Sequence, residues 1–123
     1  MTTIDQLPSI YSRVAERIGD WSPVDGPARW NDEEFGDLAT SLFKYQFAEN
    51  EAYRDFCERR GVVPDSVDDY REIPAVATEV FKQVELTCGG SSVRTFRTSG
   101  TTTGERGAHH FRTLEVYRRS LHP

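Results

Sequence analysis

Phe35, Leu38, Ala39, Leu42, Phe43 and Phe47 recur at i, i+3, i+4 and i+7 spacing. That period belongs to a helix with one apolar stripe, so the rest of the chain must supply a surface to cover it. Asn31 or Asp32 can cap the helix, and Glu33 and Glu34 place negative charge in its first turn. Continued as one helix, the pattern would put Gln46, Glu49 and Asn50 on or beside the apolar stripe. We therefore break it near residue 49 and take Asn50 as the cap of a second helix. Tyr53, Phe56 and Cys57 form the face of that helix. Arg59 and Arg60 suit its C-terminal dipole, and Gly61 ends it.

The flanking segments are shorter. Ser9 can cap a helix over residues 10–18, with Ile10, Val14 and Ile18 on one side and Gly19 as the stop. Residues 20–30 hold two prolines, a glycine, Trp21 and Trp30, and read as an anchored connector. Ser66 to Asp69 fits a capping box, which predicts a short helix over 67–72 before Pro74. Thr78 can cap a turn through Phe81 and Lys82. Val93–Arg97 and His109–Arg112 read as extended, and Thr113 can cap a last helix carrying Leu114, Tyr117 and Leu121. The expected fold class is α+β: N-terminal helices, then strand, loop, strand and helix.

The 123 residues suffice for one small domain. A net charge of −5 without a long basic run argues against a nucleic-acid binder. No apolar run approaches the ~20 residues of a bilayer span. The N-terminus shows neither a basic nor an apolar leader segment. The two cysteines, Cys57 and Cys88, are outside any CxxC motif, so the expected location is the cytoplasm, with reduced thiols. No His/Cys cluster has metal-ligand spacing, and no pair of acids stands out as a general acid and base. The catalytic residues are therefore unassigned.

The chemistry concentrates between the two extended pieces. Thr98 to Gly107 reads TSGTTTGERG: three glycines, four threonines, one serine and Arg106. Such a loop has little bulk, many free backbone N–H groups and several hydroxyls, which are the parts that wrap a phosphate. Arg106 can neutralise its charge. Each hydrogen bond to a charged phosphate contributes roughly 1.5–3 kcal/mol. The loop is not a Walker A sequence, because no lysine follows the glycines.

TSGTTTGERG resembles, without a gap, the TSGTTGxPKG signature of the acyl-adenylate-forming superfamily. Thr98 through Thr102 and Gly107 agree, and Arg106 occupies the basic position. Thr103 stands where the signature has glycine, and Glu105 where it has proline. The wider context, IPAVATEVFKQVEL, FRTSGTT and GAHHFRTLEVYRRSL, is similar to the LuxE-type acyl-protein synthetases, relatives of phenylacetate-CoA ligase. The resemblance covers roughly residues 30–121. It implies ATP with Mg²⁺ as cofactors, a fatty acid as substrate, an acyl-AMP product and transfer to a thiol, with an acyl reductase or carrier as partner. Thr98, Ser99, Gly100, Thr101, Thr102 and Gly104 would then cradle the phosphates, Arg106 would offset their charge, and His109 would contact nucleotide or substrate.

Other residues carry less. His109 and His110 point to opposite faces of a strand, so they do not share a metal. Cys57 reads as a core residue, and neither cysteine matches the family nucleophile. Lys82 in VFKQ matches a frequent family lysine without a catalytic role attached to it. Residues 1–30 read as a helix and connector. By the resemblance, residues 31–123 would be an incomplete N-terminal part of an α/β adenylation domain, inactive alone. The competing expectation is a non-enzymatic docking module built on the helices of residues 31–60.

Overall fold

The computed structural model describes residues 3–19, 31–100 and 104–121. The connector expected over 20–30 lies outside them, as do Thr101, Thr102 and Thr103. Four α-helices and one antiparallel strand pair follow in the order α1 (Ser9–Gly19), α2 (Asp32–Glu49), α3 (Glu51–Arg59), β1 (Arg94–Arg97), β2 (Ala108–Phe111) and α4 (Glu115–Leu121). Short 3-10 turns lie at Ile4–Gln6, Pro64–Ser66, Tyr70–Glu72 and Thr78–Lys82.

The break between α2 and α3 falls at Asn50. Its backbone N–H closes α2 on the Gln46 carbonyl at 2.8 Å, while its Oδ1 accepts from Tyr53 N at 3.1 Å and opens α3. One residue thus satisfies orphan groups of two helices. At the other end of α2, Asn31 Oδ1 accepts from Glu34 N at 2.8 Å, which decides between the two candidate caps. Gly61, at φ +70°, ends α3 in a Schellman motif: Gly61 N donates to Glu58 O and Val62 N to Cys57 O. Because Asn50 is buried, Asn50→Ala is expected to cost about 1–2 kcal/mol, read as a lower urea midpoint. An unchanged midpoint would show that α3 nucleates without this cap.

Phe43, Tyr53 and Cys57 form the core of this half, and Phe47, Phe56, Val62, Val67 and Ile73 pack around them. The break at residue 50 turns α3 back on α2, so the two apolar stripes meet. The Tyr53 hydroxyl leaves the core to donate to Pro74 O at 2.7 Å, which satisfies its one polar atom.

Several local expectations are corrected. The helix over 67–72 is absent. The Ser66 hydroxyl is spent on Val63, accepting from its N–H at 3.1 Å and donating to its carbonyl at 2.8 Å. Val67 and Ile73 turn into the core, and Asp69 caps the separate Tyr70–Glu72 turn by accepting from Arg71 N. Ser9 is the first residue of α1 and not its cap, and Pro8 O accepts from Tyr11 N. Gly19 closes α1 without a left-handed φ. Ala77 precedes the Thr78–Lys82 turn, and Thr78 lies within it. The extended pieces are each one residue off: β1 begins at Arg94 and β2 spans Ala108–Phe111. Thr113 Oγ1 accepts from Glu115 N, as expected of a cap.

The register pairs Arg94 with Phe111, Thr95 with His110, Phe96 with His109 and Arg97 with Ala108. Paired residues share a face, so His109 and His110 face opposite ways. Helix α1 packs on α4 and α2. Glu115 Oε1 accepts from Ile4 N at 3.0 Å and Arg119 Nη1 donates to Ala15 O at 3.4 Å, joining residues more than a hundred positions apart.

Burial pushes the Cys57 thiol up from its ordinary value. A raised folded value means that the folded chain holds the proton more tightly. The stability this contributes is complete below the unfolded thiol's value of about 8.5 and is lost as pH rises through the folded one. Urea midpoints should therefore fall as pH rises above about 8.5, and less steeply in Cys57→Ala. Parallel slopes for both proteins would assign the alkaline loss to other groups.

Candidate phosphate-binding loop

The neck of the β1–β2 connection is closed from both sides. Thr98 N donates to Gly107 O at 3.0 Å, and Thr98 Oγ1 accepts from Gly107 N at 2.8 Å. Arg106 Nε donates to Thr98 O at 2.7 Å. Beyond the neck, Gly104 N donates to Gly100 O at 2.9 Å. Gly100 has φ +67°, and a Cβ there would lie 2.9 Å from Arg106 Cγ and 3.0 Å from Glu105 O. Only glycine suits that conformation and that space. Gly100→Ala is expected to cost at least the roughly 1–2 kcal/mol of a left-handed non-glycine residue, and to open the neck. The measurement is amide exchange at Gly107, which should accelerate; unchanged exchange would refute the packing argument.

Below the neck lies a cavity of about 240 Å³ lined by the Thr78–Lys82 turn and by Thr98, Ser99, Gly100, Gly107 and His109. The turn contributes Glu79, Phe81 and Lys82. The His109 ring lies 4.4 Å from that of Phe81, tilted by 38°. Buried Gly107 has no Cβ and sits close on Phe81, where an added Cβ would be 3.4 Å from Phe81 Cβ. The turn and the hairpin therefore meet at Gly107 and the Phe81 Cβ and backbone, and Lys82 shares one lining with Ser99 and Gly100.

Of the expected site residues, Thr98, Ser99, Gly100 and His109 come together on this cavity. Gly104 and Arg106 lie outside its lining, and Thr101 and Thr102 lie outside the described residues. The Arg106 side chain braces the neck through Nε. Lys82 is the cation on the cavity wall. The composition of the loop gave no sign of Lys82, because it is contributed by a turn some sixteen residues upstream of Thr98. A 3-10 turn that ends one residue beyond Phe81 was the available signal.

Neither cysteine belongs to this cavity. Cys57 is fully buried in the core. Cys88 is half-buried, its thiol pushed up by desolvation against the lowering effects of Tyr45 and Arg112. Among the described residues no group of three His, Cys, Asp or Glu side chains could hold a metal ion. No helix among them is long and apolar enough to cross a membrane.

The chain is similar to the long-chain-fatty-acid–luciferin-component ligase of Vibrio harveyi. The two are 36% identical over 96 residues, which make up 74% of this chain and 25% of the ligase. The chain thus spans about a quarter of the length of the curated relative it matches. No family model matches it. No solved structure matches it either.

Proposed function

We propose that this chain is the nucleotide-phosphate-binding portion of an ATP-dependent, fatty-acid-activating ligase of the LuxE type. The observation that carries the reading is the cavity below the hairpin neck, where Lys82 joins Ser99 and Gly100. The relative's name supplies the ligase and the fatty acid. The residues fit a polyphosphate. Gly100 lets the backbone come close, hydroxyls of Thr98 and Ser99 lie on the wall, and Lys82 offsets charge. Mg²⁺ fits as an ion carried largely by phosphate oxygens, with Glu79 as the carboxylate in the lining.

In this reading Ser99 and the Gly100 backbone bind phosphate oxygens, and Thr98 keeps the neck closed while offering its hydroxyl proton. Arg106 holds the loop's shape through the Thr98 carbonyl. His109, flanked by Phe81, borders the place where the nucleotide would extend. A fatty-acid carboxylate attacking the α-phosphorus of ATP bound here would give acyl-AMP and release pyrophosphate, and a thiol on a carrier or reductase partner would then take the acyl group and release AMP. The setting would be cytoplasmic, where ATP is abundant.

Calorimetric titration with ATP and Mg²⁺ tests the proposal. Binding to the 123-residue chain should weaken in Ser99→Ala by about the 0.5–1.5 kcal/mol of one hydrogen bond. It should weaken also in Arg106→Ala, through loss of the brace. Equal binding by all three proteins would refute the loop assignment. The chain alone, a quarter of the relative's length, is expected to show no fatty-acid-dependent exchange of pyrophosphate into ATP.

A further inference from the structure

Charge is unevenly spread along this chain. Residues 1–85 hold eighteen acids and nine cations, whereas residues 86–123 hold six arginines and two glutamates. Such a division points to an anionic partner for the basic part. Three of the six arginines are spent inside the protein. Arg106 braces the loop neck, Arg112 donates to the Tyr45 hydroxyl and Arg119 to the Ala15 carbonyl. Arg94, Arg97 and Arg118 are exposed and form no ion pair among the described residues.

The strand register sorts these three. Arg94 pairs with Phe111 and Phe96 with His109, so Arg94, Phe96 and Phe111 share one face of the hairpin. Arg97 pairs with Ala108 on the other face. On α4, Leu121 is i+4 from Tyr117 and i+3 from Arg118, so these share one side. Glu115 and Arg119 point away from it, toward Ile4 N and Ala15 O. Ring contacts join the two elements. Tyr117 lies 5.3 Å from Phe96 and 5.8 Å from Phe111, and Phe96 meets Phe111 edge-on at 5.2 Å and 87°. The cluster is not closed over: Phe96 is 39% exposed, Tyr117 38% and Leu121 54%.

Large apolar side chains gathered in water are stabilised by whatever covers them. Arg94 and Arg118 stand on the same face, so the cover must be apolar and anionic together. The edge of an anionic bilayer has both properties. Rings and a leucine enter the acyl boundary, while guanidinium groups stay at the level of the headgroup phosphates. Leu121 favours lipid over nucleic acid, because an aliphatic side chain enters hydrocarbon but has no flat face on which a base can stack. The excess of acid in residues 1–85 sets the orientation, since an anionic surface repels that part and attracts this one.

We infer that the face formed by β1, β2 and α4 docks on an anionic lipid surface. Phe96, Tyr117 and Leu121 sit at the acyl boundary, and Arg94 and Arg118 sit on the headgroup phosphates. The inference goes beyond the ligase reading, and neither Lys82 nor Ser99 takes part in it.

Co-sedimentation with lipid vesicles tests it. The 123-residue chain should pellet with phosphatidylglycerol vesicles and stay in solution with phosphatidylcholine vesicles. Added salt should release it. The double variant Arg94→Glu, Arg118→Glu should lose roughly twenty-five-fold or more in vesicle affinity, at about fivefold for each arginine removed. Leu121→Ser should lose roughly tenfold. Val63→Ser, at a residue 40% exposed in the acidic part, should keep the affinity. Equal behaviour with the two lipids, or full affinity in the double variant, would overturn the inference. So would tighter binding to a single-stranded oligonucleotide than to vesicles, or a dimer of the chain that Leu121→Ser abolishes. Should the double variant not fold, Leu121→Ser and the comparison of lipids on wild-type protein decide. Lys82→Ala should pellet like wild type. Loss of ATP binding with vesicle binding intact would defeat the ligase reading alone.

Discussion

Phe43→Ala is expected to lower stability by about 3–5 kcal/mol, the usual cost of removing a buried phenyl ring and leaving a cavity. Phe43 is 1% exposed and lies at the centre of the α2–α3 core. Its ring meets those of Phe47 and Tyr53 edge-on at 6.0 and 6.1 Å, so truncation also removes two aromatic contacts. Against a total of about 5–15 kcal/mol for a domain, that loss leaves the protein marginal. Urea denaturation with an unchanged slope but a much lower midpoint is the expected result. The lower half of that range would mean that Phe47 and Phe56 close over the gap. A change below about 1 kcal/mol would show that α2 and α3 do not share one core.

Lys82→Ala is expected to weaken ATP binding by roughly ten- to a hundredfold, the equivalent of one charge-assisted bond of about 1.5–3 kcal/mol. Lys82→Arg should keep most of the affinity, because charge and reach both survive. The salt dependence should also flatten in the alanine variant, since one fewer cation faces the phosphates. Stability should hardly change, because Lys82 ends a 3-10 turn and has no part in the core cluster. Full affinity in Lys82→Ala would return the charge-neutralising role to Arg106 or remove phosphate from the cavity altogether.

Much of the local structure was legible along the chain, for reasons that act over a few residues. The period of Phe35 to Phe47 makes a helix, and Asn50 has a side chain that both ends one helix and begins the next. Gly61 can take the left-handed φ that a Schellman turn needs. The Ser66–Asp69 box misled because a capping signature weighs only its own hydrogen bonds. Here Ser66 bonds back to Val63 while Val67 and Ile73 gain more from burial than from continuing a helix.

The site divides in the same way. Thr98, Ser99, Gly100 and His109 were readable from one stretch of ten or twelve residues, and they line one cavity. Lys82 was visible as a residue but not as a neighbour of that stretch. Arg106 was readable as a cation, but its bond to the Thr98 carbonyl depends on how the hairpin neck closes.

The helical period, the caps and the glycine- and hydroxyl-rich loop are properties of adjacent residues, so the order of side chains was enough to establish them. Which elements meet was decided by packing alone. The contact of α1 with α4 and the approach of the Thr78–Lys82 turn to Gly107 both join residues far apart in the chain. Burial of apolar surface is non-directional. It drives such segments together without any local pattern to announce the pairing, and the lining that Lys82 shares with Ser99 and Gly100 exists only once they have met.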